Sequence, residues 1–386
     1  MNMTSSTNKP SFLSLHNSSI LISVLSSLLV FSCISGHNVA GRRIGKGGIP
    51  SSTSKTVSAI FVFGDSTSDP GNNNFVKTPF RGNFPPYGHD FPNHVATGRF
   101  TNGRLVADFV AEHIGVKQYV PPYLDPKLTI DDLKTGVSFA SAGSGFDPLT
   151  PTIISGVLPM PSQLEYFKEY QTKMEAAFGK EETKKLVKNA LYIISAGTND
   201  FVVNYFTLPI RQKEYDLPSY INFCLEQIRQ FMQGLMEMGA RRIGFASLAP
   251  MGCLPLVITL NSDNAISKRG CIEYISAAAR EFNAKLEKEL HVLQSNSSFH
   301  CSRIAILDAY TSTFDILRNQ KFGFKEVAAG CCGTGIFEAT FLCNSKTPLC
   351  SDVSKYFFWD AIHPTEKAYG ILSLAIQPTI DYLIKD

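Results

Sequence analysis

The sequence predicts an α/β fold, a mostly parallel sheet covered by helices on both faces. Two observations carry this reading. Short apolar runs recur at 57–63, 136–141, 191–196, 242–248 and 303–307, and such runs suit buried strands. Long stretches of helical periodicity alternate with them. No internal repeat and no interdomain linker follows residue 57, so residues 57–386 read as one domain.

Taken in order, the N-terminus comes first. Ile20–Ile34 is an apolar, serine-rich run, too short for a comfortable membrane span, and Ser35-Gly36 follows it as at a cleavage site. Residues 1–36 are therefore expected to be a secretory signal. Lys9 is the whole of its positive flank, which keeps a signal anchor as the alternative. Residues 37–56, rich in Gly, Ser and basic residues, read as a flexible arm or a removed segment. No later stretch is apolar enough to span a bilayer, so the mature chain is expected in the extracellular space or cell wall. The net charge is +3 with no long basic run, which speaks against a nucleic-acid partner.

The first strand, Val57–Phe63, ends at Gly64-Asp65-Ser66. The second leads to Ser141-Ala142-Gly143, and the third to Gly197-Thr198-Asn199-Asp200. In residues 218–239 the apolar positions Ile221, Leu225, Ile228, Met232 and Leu235 step by four and three, one helical stripe. Ile275, Ala278, Phe282, Leu286, Leu290 and Leu293 repeat the pattern, with Gly239 and Asn296 as the two stops. Near the C-terminus stands Asp360-Ala-Ile-His363-Pro364. Parallel sheets bind ligands beyond the C-terminal ends of their strands, so the first three polar clusters emerge on one edge.

Those clusters hold a complete set for acyl transfer. A serine hydroxyl needs a base, the base an orienting group, and the intermediate a set of oxyanion donors. Ser66 offers the hydroxyl, His363 the base and Asp360 the orienting carboxylate. The backbone N–H groups of Ser66 and Gly143 and the amide of Asn199 offer the donors. Each piece also has a plainer reading: an Asp-Ser turn, a loop histidine before a proline, a glycine turn, a helix cap. A metal pair at Asp360 and His363, with His89 or His94, lacks a recognisable ligand spacing. No cofactor motif and no Gly-x-Ser-x-Gly elbow occurs.

Phe63-Gly-Asp-Ser66-x-x-Asp69-x-Gly71-Asn72-Asn73, Val137-Ser-Phe-Ala-Ser-Ala-Gly143, Gly197-Thr-Asn199-Asp200 and Asp360-x-x-His363-Pro364 together resemble the plant-type GDSL esterase/lipase family of the SGNH hydrolases. Gly239-Ala-Arg-Arg, Leu248–Pro255, Ala329–Gly333 and Phe358-Trp-Asp360 fit too, and the resemblance runs from about Ser58 to the C-terminus. It implies a three-layer α/β/α sandwich with a five-stranded parallel sheet. It implies Ser66, His363 and Asp360 as the triad, and Ser66, Gly143 and Asn199 as the oxyanion hole. Thr67 stands where the family usually has Leu.

The expected activity is hydrolysis of carboxylic esters of lipids, polysaccharides or small metabolites. Acyl transfer to an alcohol uses the same triad, and a non-catalytic binding protein on this fold is the remote alternative. Phe146, Leu149, Ile153, Ile154, Leu158, Phe201 and Tyr205 either line an acyl pocket or pack under their own loops. Of the cysteines beyond the signal, Cys253 and Cys271 flank one loop and are expected to pair. Cys331, Cys332, Cys343 and Cys350 are expected to bond among themselves. Cys224 and Cys301 have no assigned partner, and Asn296 heads a glycosylation sequon. Oligomeric state is not legible.

Overall fold

The computed structural model describes residues 57–385 apart from Ser267, Ser297, Ser298, His300 and Cys301. The signal and arm expected over residues 1–56 lie outside the described residues. Strands β1 (Ile60–Gly64), β2 (Leu191–Ser195), β3 (Arg242–Ala246) and β4 (Arg303–Leu307) form one parallel sheet in that spatial order. The run at 136–141 lies along the other edge of β1. Val62 N–H donates to Val137 O at 3.1 Å, Phe139 N–H to Val62 O at 2.8 Å and Ser141 N–H to Gly64 O at 3.0 Å. The implied fifth strand is therefore a narrow, irregular edge. The Asn72 amide donates to Ser138 O and Ala140 O at 2.8 Å each, and beyond this run the pairing is reduced to an isolated bridge at Pro122–Ser138, where Tyr123 N–H donates to Ser138 O at 2.9 Å.

The chain leaves β1 for one side to lay down 136–141, then returns on the other side as β2. This makes β1 the topological switch point, where open parallel sheets form their ligand crevice.

The longer α-helices are α1 (Val106–His113), α2 (Met160–Phe178), α3 (Lys180–Asn189), α4 (Leu217–Glu237), α5 (Glu273–Ser295), α6 (Ala309–Asn319) and α7 (Glu366–Ile384). Strand side chains alternate between two cores, as a pleat of period two requires. Phe61, Phe63, Tyr192, Ile194 and Phe245 face α2, α4 and α5 in a core rich in aromatic rings. Ile60, Val62, Leu191, Ile193 and Leu307 face α1 and α7 in a smaller aliphatic core. Helix α4 begins where the Asp216 carboxylate accepts from Ser219 N–H, with Pro218 in the first turn, and its stop is Gly239 at φ 110°. Among the described residues no helix is long and apolar enough to cross a membrane.

A feature the sequence reading did not foresee is a second, two-stranded parallel sheet of β5 (Glu326–Gly330) and β6 (Tyr356–Phe358). It delivers the chain to Asp360. Disulfides join Cys253 to Cys271, Cys331 to Cys350 and Cys332 to Cys343, in line with the expected groupings. Cys224 departs from the pattern of paired cysteines, being a free thiol buried in α4. Its burial pushes the thiol pKa well above the ordinary value. Cys301 lies outside the described residues. Asn296 is exposed at the end of α5.

Candidate active site

Ser66 follows β1 by two residues, on a turn that starts at Gly64. Gly64 has φ 143°, and a Cβ there would lie 2.0 Å from Ser195 O, so the turn requires glycine. Gln163 of α2 clamps this glycine from both sides: its Oε1 accepts from Gly64 N–H and its Nε2 donates to Gly64 O, each at 2.9 Å. Ser66 itself is partly exposed, which leaves its hydroxyl within reach of a ligand.

The loop after β6 brings His363 to this turn. His363 Nε2 lies 2.8 Å from Ser66 Oγ. Its Nδ1 lies 2.9 and 2.8 Å from the two Asp360 oxygens. Asp360 is fully buried and also accepts from the N–H groups of Ile362 and His363 at 2.8 and 2.7 Å. With the Nδ1 proton held by that carboxylate, Nε2 is left to accept the Ser66 proton. Both ring nitrogens are thus engaged. His89 pairs with Asp90 at 2.7 Å, and the His94 ring nitrogen meets His89 O at 2.5 Å. Among the described residues no three His, Cys, Asp or Glu side chains converge as a metal site.

The N–H groups of Ser66 and Gly143 have no hydrogen-bond partner among the described residues. Gly143 sits at φ 89°, where a Cβ would lie 2.5 Å from Ile154 Cγ2. The Asn199 amide donates to Ser144 O at 2.8 Å and makes no helix-cap bond. One N–H fixes the amide plane and the other stays available. This set can hold an ester carbonyl, attack it and stabilise the oxyanion.

The model of GDSL-like lipase/acylhydrolases matches residues 60–376. The chain belongs to this family. It is 53% identical over 330 residues to the GDSL esterase/lipase At5g45960 of Arabidopsis thaliana, covering 85% of this chain and 88% of that one. It is 43% identical to GDSL esterase/lipase At1g06990, with 84% and 90% covered, and 41% identical to GDSL esterase/lipase APG, with 84% and 91% covered, both from the same plant.

The polar residues of the family motifs act largely as clamps on the loops. The Asp69 carboxylate accepts from the N–H groups of Gly71 and Asn72 at 2.8 and 2.6 Å, and from Ala142 N–H at 3.0 Å, one residue before Gly143. Asn73 donates to Ala142 O at 3.0 Å and accepts from Ser141 Oγ at 2.5 Å. Asp200 accepts from Phe146 and Asp147 N–H at 2.8 and 3.2 Å and from the Thr150 hydroxyl. Burial pushes the carboxyls of Asp65 and Asp69 up to about 6 and that of Asp200 up to about 7. Thr67, the departure from the family's usual Leu, donates its hydroxyl to Asp65 Oδ1 at 2.9 Å.

Sequence reasoning missed Gln163 and Tyr87. Tyr87 is buried; its hydroxyl donates to Asp360 Oδ2 at 2.7 Å and accepts from Thr340 N–H at 2.9 Å. The sequence leaves two readings open for the apolar residues after Gly143 and Asn199, acyl-pocket lining or packing under their own loops. Phe146, Phe201 and Tyr205 belong to the aromatic core, where Phe146 packs on Phe231 and Phe245, Phe201 on Tyr220 and Phe282, and Tyr205 on Tyr220. Leu149 and Ile153 are half-buried on a short helical turn. None of the five lines the cavity beside Ser66. Apolar residues after a strand end serve whichever core their loop folds back on, and here that is the α2/α4 face.

Proposed function

We propose that this GDSL family member hydrolyses carboxylic esters through an acyl-Ser66 intermediate. The observation that carries the proposal is the unbroken chain Ser66 Oγ, His363 Nε2, His363 Nδ1 and Asp360, with contacts of 2.8, 2.9 and 2.8 Å. Ser66 Oγ attacks the ester carbonyl as its proton passes to His363 Nε2. The imidazolium is stabilised by Asp360, and the oxyanion by Ser66 N–H, Gly143 N–H and the second Asn199 N–H. The C–O bond to the alcohol then breaks, and His363 gives that oxygen the proton. Water, deprotonated by His363, attacks the acyl-serine. The carboxylic acid leaves and Ser66 regains its proton. An alcohol in place of that water would give acyl transfer by the same steps.

Export through the N-terminal signal belongs to this reading. Disulfides persist in oxidising compartments, and three are present among the described residues.

The test combines labelling and product analysis. A fluorophosphonate should modify wild type at Ser66 and leave Ser66→Ala unlabelled. Released acid should match released alcohol one to one, even with added acceptor alcohol. Labelling at another serine would overturn the triad. New ester in place of acid would turn the reading to transfer.

A further inference from the structure

A cavity of about 160 Å³ has Ser66 and Asn199 in its wall. The rest of the wall is largely apolar: Ala107, Ala246 and Ile376 belong to the α1/α7 core, Leu254, Leu317 and Leu372 to a cluster around β6, and Leu248 and Met251 to the edge of the aromatic core. The cavity exists because small residues stand where the sheet ends. Ala196, Ala246 and Ala309 lie at or just beyond the ends of β2, β3 and β4. The opposite face of the sheet is packed largely with rings of Phe and Tyr.

We propose that this cavity receives the acyl chain of the substrate, and that it fits a medium chain. The inference rests on the esterase reading above and names its substrate class. Which half of the ester enters follows from the reaction. The acyl carbon bonds to Ser66 Oγ and its oxygen turns to Asn199, and both residues are in the wall. The departing alcohol needs His363 for its proton; His363 itself is not in the wall, which it borders through Ile362 and Pro364. The length follows from volume. An apolar cavity of about 150 Å³ takes one benzene, so this one holds about six to eight carbons.

The experiment uses the secreted full-length protein and p-nitrophenyl esters from acetyl to hexadecanoyl. Specificity, kcat/KM, should rise about threefold per added methylene up to hexanoyl or octanoyl, as burial of each CH2 predicts. It should then fall at least about tenfold by hexadecanoyl, because the remaining carbons have no place in the wall. Ala246→Val and Ala107→Val, two independent ways to shorten the cavity, should each lower the hexanoyl-to-acetyl ratio by about tenfold or more. Using both guards against a misfolded variant. Octanoate should raise the melting temperature of Ser66→Ala, and acetate should not.

A flat profile, a maximum at hexadecanoyl, dependence on the alcohol chain instead, or an unmoved ratio in both folded variants would overturn the cavity assignment while leaving the esterase reading intact. Absence of any ester cleavage, with octanoate still stabilising Ser66→Ala, would overturn the esterase reading and leave the cavity as a chain-binding site. Neither cleavage nor stabilisation would overturn both.

Discussion

Ser66 and Gly143 stand on turns that hydrogen bonds alone hold in place, whereas Asp360 and His363 stand beside a loop crossed by two disulfides. On the first side Asp69, Asp200 and Gln163 bind backbone groups of the strand-end loops. On the second, Cys331–Cys350 and Cys332–Cys343 close the stretch between β5 and β6. Cys331 N–H donates to Phe358 O at 3.0 Å, Cys332 N–H to Trp359 O at 2.8 Å and Ala361 N–H to Glu338 O at 2.8 Å. The difference has a physical origin. The nucleophile side is seated on β1, which pairs with β2 on one side and with the 136–141 run on the other, and borrows the rigidity of that larger sheet. The base side has only a two-stranded sheet beneath it and needs covalent closure. The first should respond to pH and the second to reductant.

The largest effect expected is the loss of chemistry without loss of either support. Ser66→Ala should lower kcat by about 10⁵-fold or more, and His363→Ala by nearly as much, since triad members act as a unit. Melting temperature should stay close to wild type in Ser66→Ala. A large drop in melting for that variant would mean the hydroxyl also holds the turn.

Next comes the oxyanion side alone. Asn199→Ala should cost about a hundredfold in kcat with KM little changed, as removal of one donor does. A shift in melting with kcat intact would remove Asn199 from the site and leave it as a brace on Ser144 O.

Breaking the covalent side should cost stability first. Replacing Cys332 and Cys343 together by Ser opens a loop spanning 11 positions and should lower stability by about 3 kcal/mol. Differential scanning calorimetry of the double variant would measure it. If melting is unchanged, the base side is held by its hydrogen bonds and the comparison fails.

Tyr87 links the two supports of the base, bonding both Asp360 and the disulfide loop at Thr340. Tyr87→Phe removes one bond to a carboxylate without removing the ring, so kcat should fall about tenfold while KM holds. A fall in stability alone would make Tyr87 a packing residue.

The smallest effect is the pH response of the nucleophile side. Asp65, Asp69 and Asp200 have folded pKa values of about 6, 6 and 7 against an ordinary 3.8. A raised folded value means stability that is full below 3.8 and lost as pH rises through 6 to 7. Melting should therefore be about 2–4 °C higher near pH 5 than near pH 7.5, and Asp200→Asn should flatten part of that slope. An opposite slope in wild type, steepened by Asp200→Asn, would contradict the burial argument.

Much of this molecule could be read without coordinates. The runs at 191–196, 242–248 and 303–307 contain three regular strands, the run at 57–63 covers all of β1 but Gly64, and the stripe from Ile221 to Leu235 lies within α4. These are local signals, because side-chain period is set by the chain's own geometry. Ser66, Gly143 and Asn199 were legible as strand-end residues for the same reason. What only the tertiary structure decided lies between residues far apart in sequence. Tyr87 meets Asp360 across 273 positions, and Gln163 meets Gly64 across 99. Neither pair has a local pattern to reveal it. The cavity is more remote still, since it is the space that Ala107, Ala246 and Ile376 leave together. Sequence records the size of each side chain, but a void depends on how several chain segments pack at once. That is why sequence leaves Phe146 and Phe201 open between pocket and core, and packing decides for core.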